Sequence, residues 1–185
     1  MSSDAQKVTV GKPRVGGAVF RAPAGTTLPT TATETLNNAF KDLGYISEDG
    51  IKKSIERSTE DIKAWGGDTV GNTQTEFKDQ FTIKFLEALN LDVLKAVYVD
   101  ENVSGTLASG VHIKVNSKEQ QSVSWVIDTV MTGGVLSRMV IPYGKVIEVG
   151  EVEYVDGSPV AHEVTIGATP DSGGDTHHEY LVNPS

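Results

Sequence analysis

Apolar and polar residues alternate with a period of two over most of the chain, which predicts strands with one covered and one open face. The clearest run is Thr73 to Leu86. Thr73, Thr75, Phe77, Asp79, Phe81, Ile83 and Phe85 fall on one face, and Gln74, Glu76, Lys78, Gln80, Thr82 and Lys84 on the other. Asp79 is the single polar intruder on the apolar face. At roughly 3.3 Å per residue this strand exceeds about 40 Å, long for a small domain. Before it, Leu43–Ser47 and Ile51–Arg57 flank Glu48-Asp49-Gly50, and Asp-Gly predicts a hairpin turn there. Ile62–Trp65 then leads into a loop, Gly66 to Asn72, freed by Gly66, Gly67 and Gly71.

The period changes once. Asn90 is a good N-cap, Asp92 sits in the first turn, and Val93, Leu94 and Val97 share a face that Leu89 can join. This predicts a helix near 90–98, too short to persist unless it packs on a sheet. Strands resume at Val103–Leu107 and Val111–Val115 around Ala108-Ser109-Gly110, then at Ser122–Met131. Gly133-Gly134 ends that strand and Val135–Ile141 begins the next, with Pro142 predicting an edge or turn. The apolar phase shifts across Gly150, which predicts a bulge or sharp bend. Asp156-Gly157 marks a second turn before Val160–Ile166; Ala168–Thr176 is a polar loop and Tyr180–Val182 a short last strand. Eight to ten strands and one helix predict a mostly β fold, a β-sandwich or barrel with the helix on its flank.

Residues 1–40 differ from this pattern. Gly11, Pro13, Gly16, Gly17, Pro23, Gly25 and Pro29, followed by a threonine-rich stretch, do not build a sheet interior by themselves. Yet Val15, Val19 and Phe20 are hydrophobic, and Phe20 among Gly and Pro has no local core. The expectation is an extended N-terminal arm, 1–40, that orders on a partner, and a β domain, 41–185; a disordered terminus is the competing reading. On this reading removal of residues 1–24 leaves the body folded.

Composition sharpens the picture. Of 185 residues, 23 are Val and 18 Thr against 10 Leu, a β-branched bias that disfavours a helical bundle. With no cysteine, disulfide frameworks and thiolate chemistry are excluded. No apolar run is long enough to span a bilayer as a helix, and the first residues lack a signal-peptide stretch. The net charge of −9 weighs against tight duplex binding. It is also uneven. Lys7, Lys12, Arg14 and Arg21 face only Asp4 and Glu34 in the first 40 residues, whereas Val146 to Ser185 holds eight acidic groups and no Lys or Arg. A basic arm and an acidic body are two surfaces able to meet, although acidity also simply gives solubility.

Candidate chemistry is sparse. His177-His178-Glu179, with Asp171 and Asp175 nearby, resembles a metal cluster, but adjacent histidines on a strand point to opposite faces. Asp171-Ser172-Gly173-Gly174-Asp175 lacks the ligand alternation of a calcium loop and reads as a turn. Neither a phosphate loop nor a Gly-x-Ser-x-Gly elbow occurs, and His112 and His162 stand beside no nucleophile by spacing. Glu148, Glu151 and Glu153 read as a solvated acidic face. Nothing argues for an enzyme, and no cofactor is expected. Trp65, followed by Gly66-Gly67, is either a core tryptophan at a strand end or the anchor of a subunit contact.

Taken in order, Gly11-Lys12-Pro13-Arg14-Val15-Gly16-Gly17-Ala18-Val19-Phe20-Arg21-Ala22-Pro23, Leu43-Gly44-Tyr45-Ile46-Ser47-Glu48-Asp49-Gly50-Ile51, Ala64-Trp65-Gly66-Gly67-Asp68, the long alternating strand and Asp92-Val93-Leu94-Lys95-Ala96-Val97-Tyr98 form a recognisable series. It resembles the major tail (tail tube) proteins of long, non-contractile-tailed phages, especially those of actinobacteria, a family close in fold to the tubes of contractile tails and type VI secretion. The resemblance implies a structural subunit of the virion tail, made in the host cytoplasm, whose hexameric rings stack around a tape-measure protein and later pass genome DNA. It further implies contacts with tail terminator and tail-tip proteins, strands contributing to an intersubunit barrel, and no membrane partner. Transferred onto this sequence, it marks Val15, Gly16, Val19 and Phe20 in the arm, and Trp65, Gly66, Gly67 and Asp68 in the loop, as inter-subunit contacts. It leaves the acidic last forty residues without a role.

Simple geometry is compatible with that implication. Six subunits giving four strands each would close a barrel of roughly 24 strands, roughly 45–50 Å across at the backbone and on the order of 35–40 Å inside the side chains. An acidic lumen would repel phosphate and let DNA pass. The alternative is a β-sandwich that binds carbohydrate or another ligand on a virion or cell surface, and a weaker one is a metal hydrolase using His177 and His178.

Overall fold

The structure is a computed structural model and describes residues 7–184. Among these the strands are β1 (Gly11–Pro13), β2 (Val19–Pro23), β3 (Lys41–Asp42), β4 (Ile46–Lys63), β5 (Thr69–Phe85), β6 (Val103–Thr106), β7 (Gly110–Ile113), β8 (Val123–Met131), β9 (Leu136–Val149), β10 (His162–Thr169) and β11 (His178–Val182), with a helix α1 (Leu91–Tyr98) between β5 and β6. Nine strands form one antiparallel sheet in the order β3-β2-β8-β9-β10-β5-β4, with β1 joining β2 along β8 and β11 joining β10 along β9; β6 and β7 form a separate hairpin. This is the mostly β, sandwich-like architecture expected.

The sheet folds around two apolar layers. On one side Val19, Trp125 and Ile127 meet Phe81, Ile83, Phe85, Val164 and Ile166, closed by Val93, Ala96 and Val97 of α1. On the other side of β8 and β9, Ala22, Val126 and Val140 pack with Phe40, Leu28 and Leu36. The connection between β2 and β3 therefore roofs the second layer, and β8 is buried on both faces. A bidentate ion pair fixes that roof. Arg138 Nε and Nη2 each donate to Asp128, at 2.7 Å, while Nη1 donates to the carbonyls of Thr31 (3.1 Å) and Glu34 (2.6 Å).

The helix forms where its signals stand: the Asn90 side chain accepts from Asp92 N at 3.0 Å. Its far end is satisfied by Gln120, whose amide donates to the carbonyls of Ala96 and Val97.

Three sequence expectations change. Asp49-Gly50 is not a hairpin turn: β4 runs through it, Ile46 opposing Phe85 and Ile51 opposing Ile83, so the extra residues form a wide bulge with Gly50 at φ +71°. Pro142 neither ends nor edges a strand. It sits inside β9 at an irregularity opposite β8, where no ladder N–H is required, and its carbonyl accepts from Ser124 Oγ. Val19 does not wait for a partner molecule. It opposes Ile127 in a five-residue pairing of β2 with β8 and is fully buried in the subunit's own core.

Candidate assembly interface

The β4–β5 hairpin outgrows its sheet. Strand β10 accompanies β5 only along Gln80–Phe85, so beyond Gln80 the hairpin is a two-stranded ribbon with no third strand beside it among the described residues. Its sequence explains this: β4 from Lys52 to Lys63 is charged and polar apart from the isolated Ile55 and Ile62, so it has no apolar stripe, and every one of those residues is exposed. At about 3.3 Å per residue the free ribbon projects roughly 30 Å. The expectation of one wet face on the long strand is corrected here: only its last part, from Asp79 on, buries alternate residues. Thr75 is bulged between Gln74, opposite Thr59, and Glu76, opposite Ser58, so the apolar–polar phase flips at that point.

Cross-strand contacts hold the ribbon straight. The Arg57 guanidinium lies 4.7 Å over the Phe77 ring and donates to Gln74 Oε1 at 3.1 Å; Asn72 donates to Asp61 at 3.1 Å. At the tip, Ala64 N donates to the Asp68 carbonyl at 2.8 Å and Gly67 N to the Ala64 carbonyl at 3.0 Å. Gly66 and Gly67 have φ of +113° and +96°, a conformation that side chains resist. Trp65 is thereby aimed into solvent and is completely exposed, which removes the core reading of this residue.

A polar lock anchors the ribbon's root. Asp79, whose side chain is fully buried, accepts from Thr176 Oγ1 (2.6 Å) and faces His177 Nδ1 (2.5 Å); His177 Nε2 faces Glu179 (3.1 Å), which pairs with Lys53. The Lys53 ammonium holds the Glu179 carboxyl below its usual pKa, and His177 adds to this. His177 precedes β11 and His178 opens it, and the two face different partners, the second Asp171. Asp171 Oδ1 caps its own turn by accepting from the N–H groups of Gly173 and Asp175, and these bonds lower its pKa.

The arm residues split into two groups. Phe20 is partly buried against the second apolar layer, and Val19 is sealed in the first, so Val19 offers nothing to a neighbour. Val15 is completely exposed and Gly16 lies beside it with φ +97°. Gly17 has φ +125°, a conformation that side chains resist, and a Cβ there would press on the Asp42 carboxylate and the Phe20 ring. This loop forms one wall of an open groove of about 520 Å³; Tyr45, Ile46, Asp42 and Glu87 form the other. Tyr45 is 78% exposed. Sequence reading did not single out Asp42, Tyr45 or Glu87, and no spacing links Glu87 to the arm: its carboxylate accepts from Tyr45 N across 42 residues.

Two further features face outward. The outer edge of β4 is unpaired over the full 18 residues of the strand. The open face of β9-β10-β5-β4 carries Lys52, Lys78, Lys84 and Lys145 interspersed with Glu56, Glu60, Glu76, Glu148 and Glu163, by register. The chain's net acidity is therefore not concentrated on this face. No helix among the described residues is long and apolar enough to cross a membrane.

Compared with known proteins, residues 1–182 match a family described as phage tail tube protein. No curated protein matches the chain.

Proposed function

The chain belongs to the phage tail tube protein family, a component of the virion tail with a structural role, and from that premise we propose that its copies close into rings, six to a ring, that stack into a conduit for genome DNA. The observation that carries this reading is the presence on one subunit of a long strand edge with no partner strand among the described residues and a projecting two-stranded hairpin. An open edge of 18 residues presents a row of backbone N–H and C=O groups, a template for another strand. A neighbour's strand would satisfy it and continue the sheet around a ring. The hairpin reaches beyond the subunit's own body, so its exposed Trp65 fits a contact with another subunit or ring.

Within this reading Val15 and Gly16 of the arm, with Trp65, Gly66, Gly67 and Asp68 at the hairpin tip, are inter-subunit contacts. The tape-measure protein occupies the lumen before DNA, and tail terminator and tail-tip proteins close the ends. The open face of mixed lysine and glutamate lines the conduit: alternating signs deny phosphates a continuous basic track, so DNA slides without being held. No step of this function needs catalysis or a cofactor.

The test is self-assembly of the purified chain, followed by sedimentation velocity and negative-stain electron microscopy over a range of concentrations. Rings or hollow tubes are expected. A protein that stays monomeric at high concentration, both alone and with a tape-measure protein, would overturn the proposal.

A further inference from the structure

We propose that the groove between the Val15–Gly17 loop and Tyr45–Ile46 receives Trp65 from a second copy of this chain. The assignment rests on the tube reading above and adds which surface meets which. The groove is open, about 520 Å³, and rimmed by the exposed side chains of Val15 and Tyr45. That size and mainly apolar lining suit one bicyclic aromatic side chain. Its polar content is equally specific. Asp42 accepts from Gly44 N (2.9 Å), and Glu87 accepts from Tyr45 N (3.1 Å) and Asn90 Nδ2 (3.0 Å). Each carboxylate oxygen has a second acceptor site, so both groups can take a further donor. An indole has one N–H donor and no acceptor, and a buried tryptophan needs that N–H satisfied. Arg14 also lines the groove, and its guanidinium, paired with Asp128, can stack on an aromatic face. An apolar slot with Asp42 and Glu87 as acceptors and Arg14 beside them complements tryptophan.

The occupant must come from another copy. Tyr45 and Ile46 stand at the foot of the hairpin whose tip carries Trp65, and the β4–β5 ladder holds tip and foot apart. The two patches are different parts of the surface, so the contact is heterologous, and it closes a ring or runs on as a stack according to the rotation between copies. The free ribbon carries the tip roughly 30 Å beyond the three-stranded part of the sheet, a reach that suits stacking and leaves the β4 edge for contacts within a ring. The turn hydrogen bonds from Ala64 N to the Asp68 carbonyl and from Gly67 N to the Ala64 carbonyl constrain the backbone on either side of Trp65, which reduces the ordering cost of docking.

The experiment replaces Trp65 with a photoreactive benzophenone amino acid, which keeps a large aromatic group, in the full-length chain. Tubes are assembled, irradiated and digested, and the cross-linked peptides are sequenced; a mixture of isotopically light and heavy chains identifies links between copies. The expected result is inter-copy cross-links from position 65 to residues 13–18 or 42–46, several-fold above any other segment. In parallel, Trp65→Ala should lower tube yield at least tenfold with no change in the melting temperature of the unassembled chain, and Trp65→Phe should fall between. Tubes whose position 65 cross-links elsewhere, for instance to the exposed turn at Leu107, overturn the groove assignment and leave the tube reading standing. A wild-type chain that forms no tubes overturns the tube reading, and this assignment with it.

Discussion

Replacing Arg138 with Met tests whether the β2–β3 connection is held down by one buried charge. Arg138 and Asp128 oppose each other across β9 and β8, with side chains 2% and 4% exposed. Methionine keeps much of the length and removes both 2.7 Å bonds to the carboxylate. Asp128 then retains only Arg14 Nη1, at 3.3 Å, from a side chain that is 38% exposed and so partly screened. Loss of one partner of a buried pair costs about 3–5 kcal/mol, because the remaining charge is uncompensated. The carbonyls of Thr31 and Glu34 also lose a donor, but both residues are exposed and water can replace it, so this contribution is small. With Arg14 offsetting part of the loss, the expected cost is about 3 kcal/mol, or roughly 6–12 °C in melting temperature for a domain of this size. Urea unfolding, followed by the fluorescence of buried Trp125 at low protein concentration, measures it. The double variant Arg138→Met with Asp128→Leu removes both charges and should recover at least half of the loss. A single variant costing under about 1 kcal/mol, or a double variant no better than the single, would refute the reasoning.

Three further outcomes are expected. Deleting residues 1–24 removes β2 with Val19 and Ala22 and strips one edge of β8, so the cooperative unfolding transition should disappear, whereas deleting only residues 1–10 should leave it in place; circular dichroism melts of both decide this. His162 is buried, its Nδ1 has no hydrogen-bond partner and its ring stands edge-on to Tyr98, so burial holds its pKa below 6.5. The unfolded chain therefore takes up a proton below about pH 6.5 that the folded chain resists: stability is whole above that pH, falls on acidification, and levels off below the folded pKa. The urea midpoint should drop between pH 7.5 and 5.5, and His162→Gln should flatten that slope; an unchanged slope contradicts the argument. Gly144→Ala should cost about 1–3 kcal/mol by overpacking, since the new methyl would lie 2.6 Å from Trp125 Cδ1 and 2.8 Å from Ile166 Cγ2; a thermal melt unchanged within error would contradict it.

Features set by local chemistry were legible in the sequence. Asn90 and Asp92 announced α1, and the alternation in Val123–Met131 and His162–Ile166 announced β8 and β10. What failed depended on distant partners. Val19 lies among glycines and prolines, and its strand exists only because Ile127, more than a hundred residues later, offers an edge. Asp49-Gly50 has the composition of a turn, but a bulge uses the same left-handed glycine, and only the pairing of Ile51 with Ile83 separates the two. Alternation in β5 gave the strand correctly and the burial wrongly, because periodicity records which residues share a face and not whether anything covers it. Of the residues proposed for assembly, Trp65 and Val15 were visible as hydrophobic residues in glycine-rich surroundings. The opposite wall of the groove was not, because Asp42, Tyr45 and Glu87 come together only when β3, β4 and the β5–α1 connection meet.

Whether subunits complete one another through the β4 edge and the projecting hairpin is read from a cryo-electron microscopy reconstruction of the assembled protein. Main-chain hydrogen bonds from the outer edge of β4 to a neighbouring subunit are expected, with the hairpin tip buried against another copy. An assembly in which that edge stays unpaired and Trp65 stands in solvent would contradict this expectation.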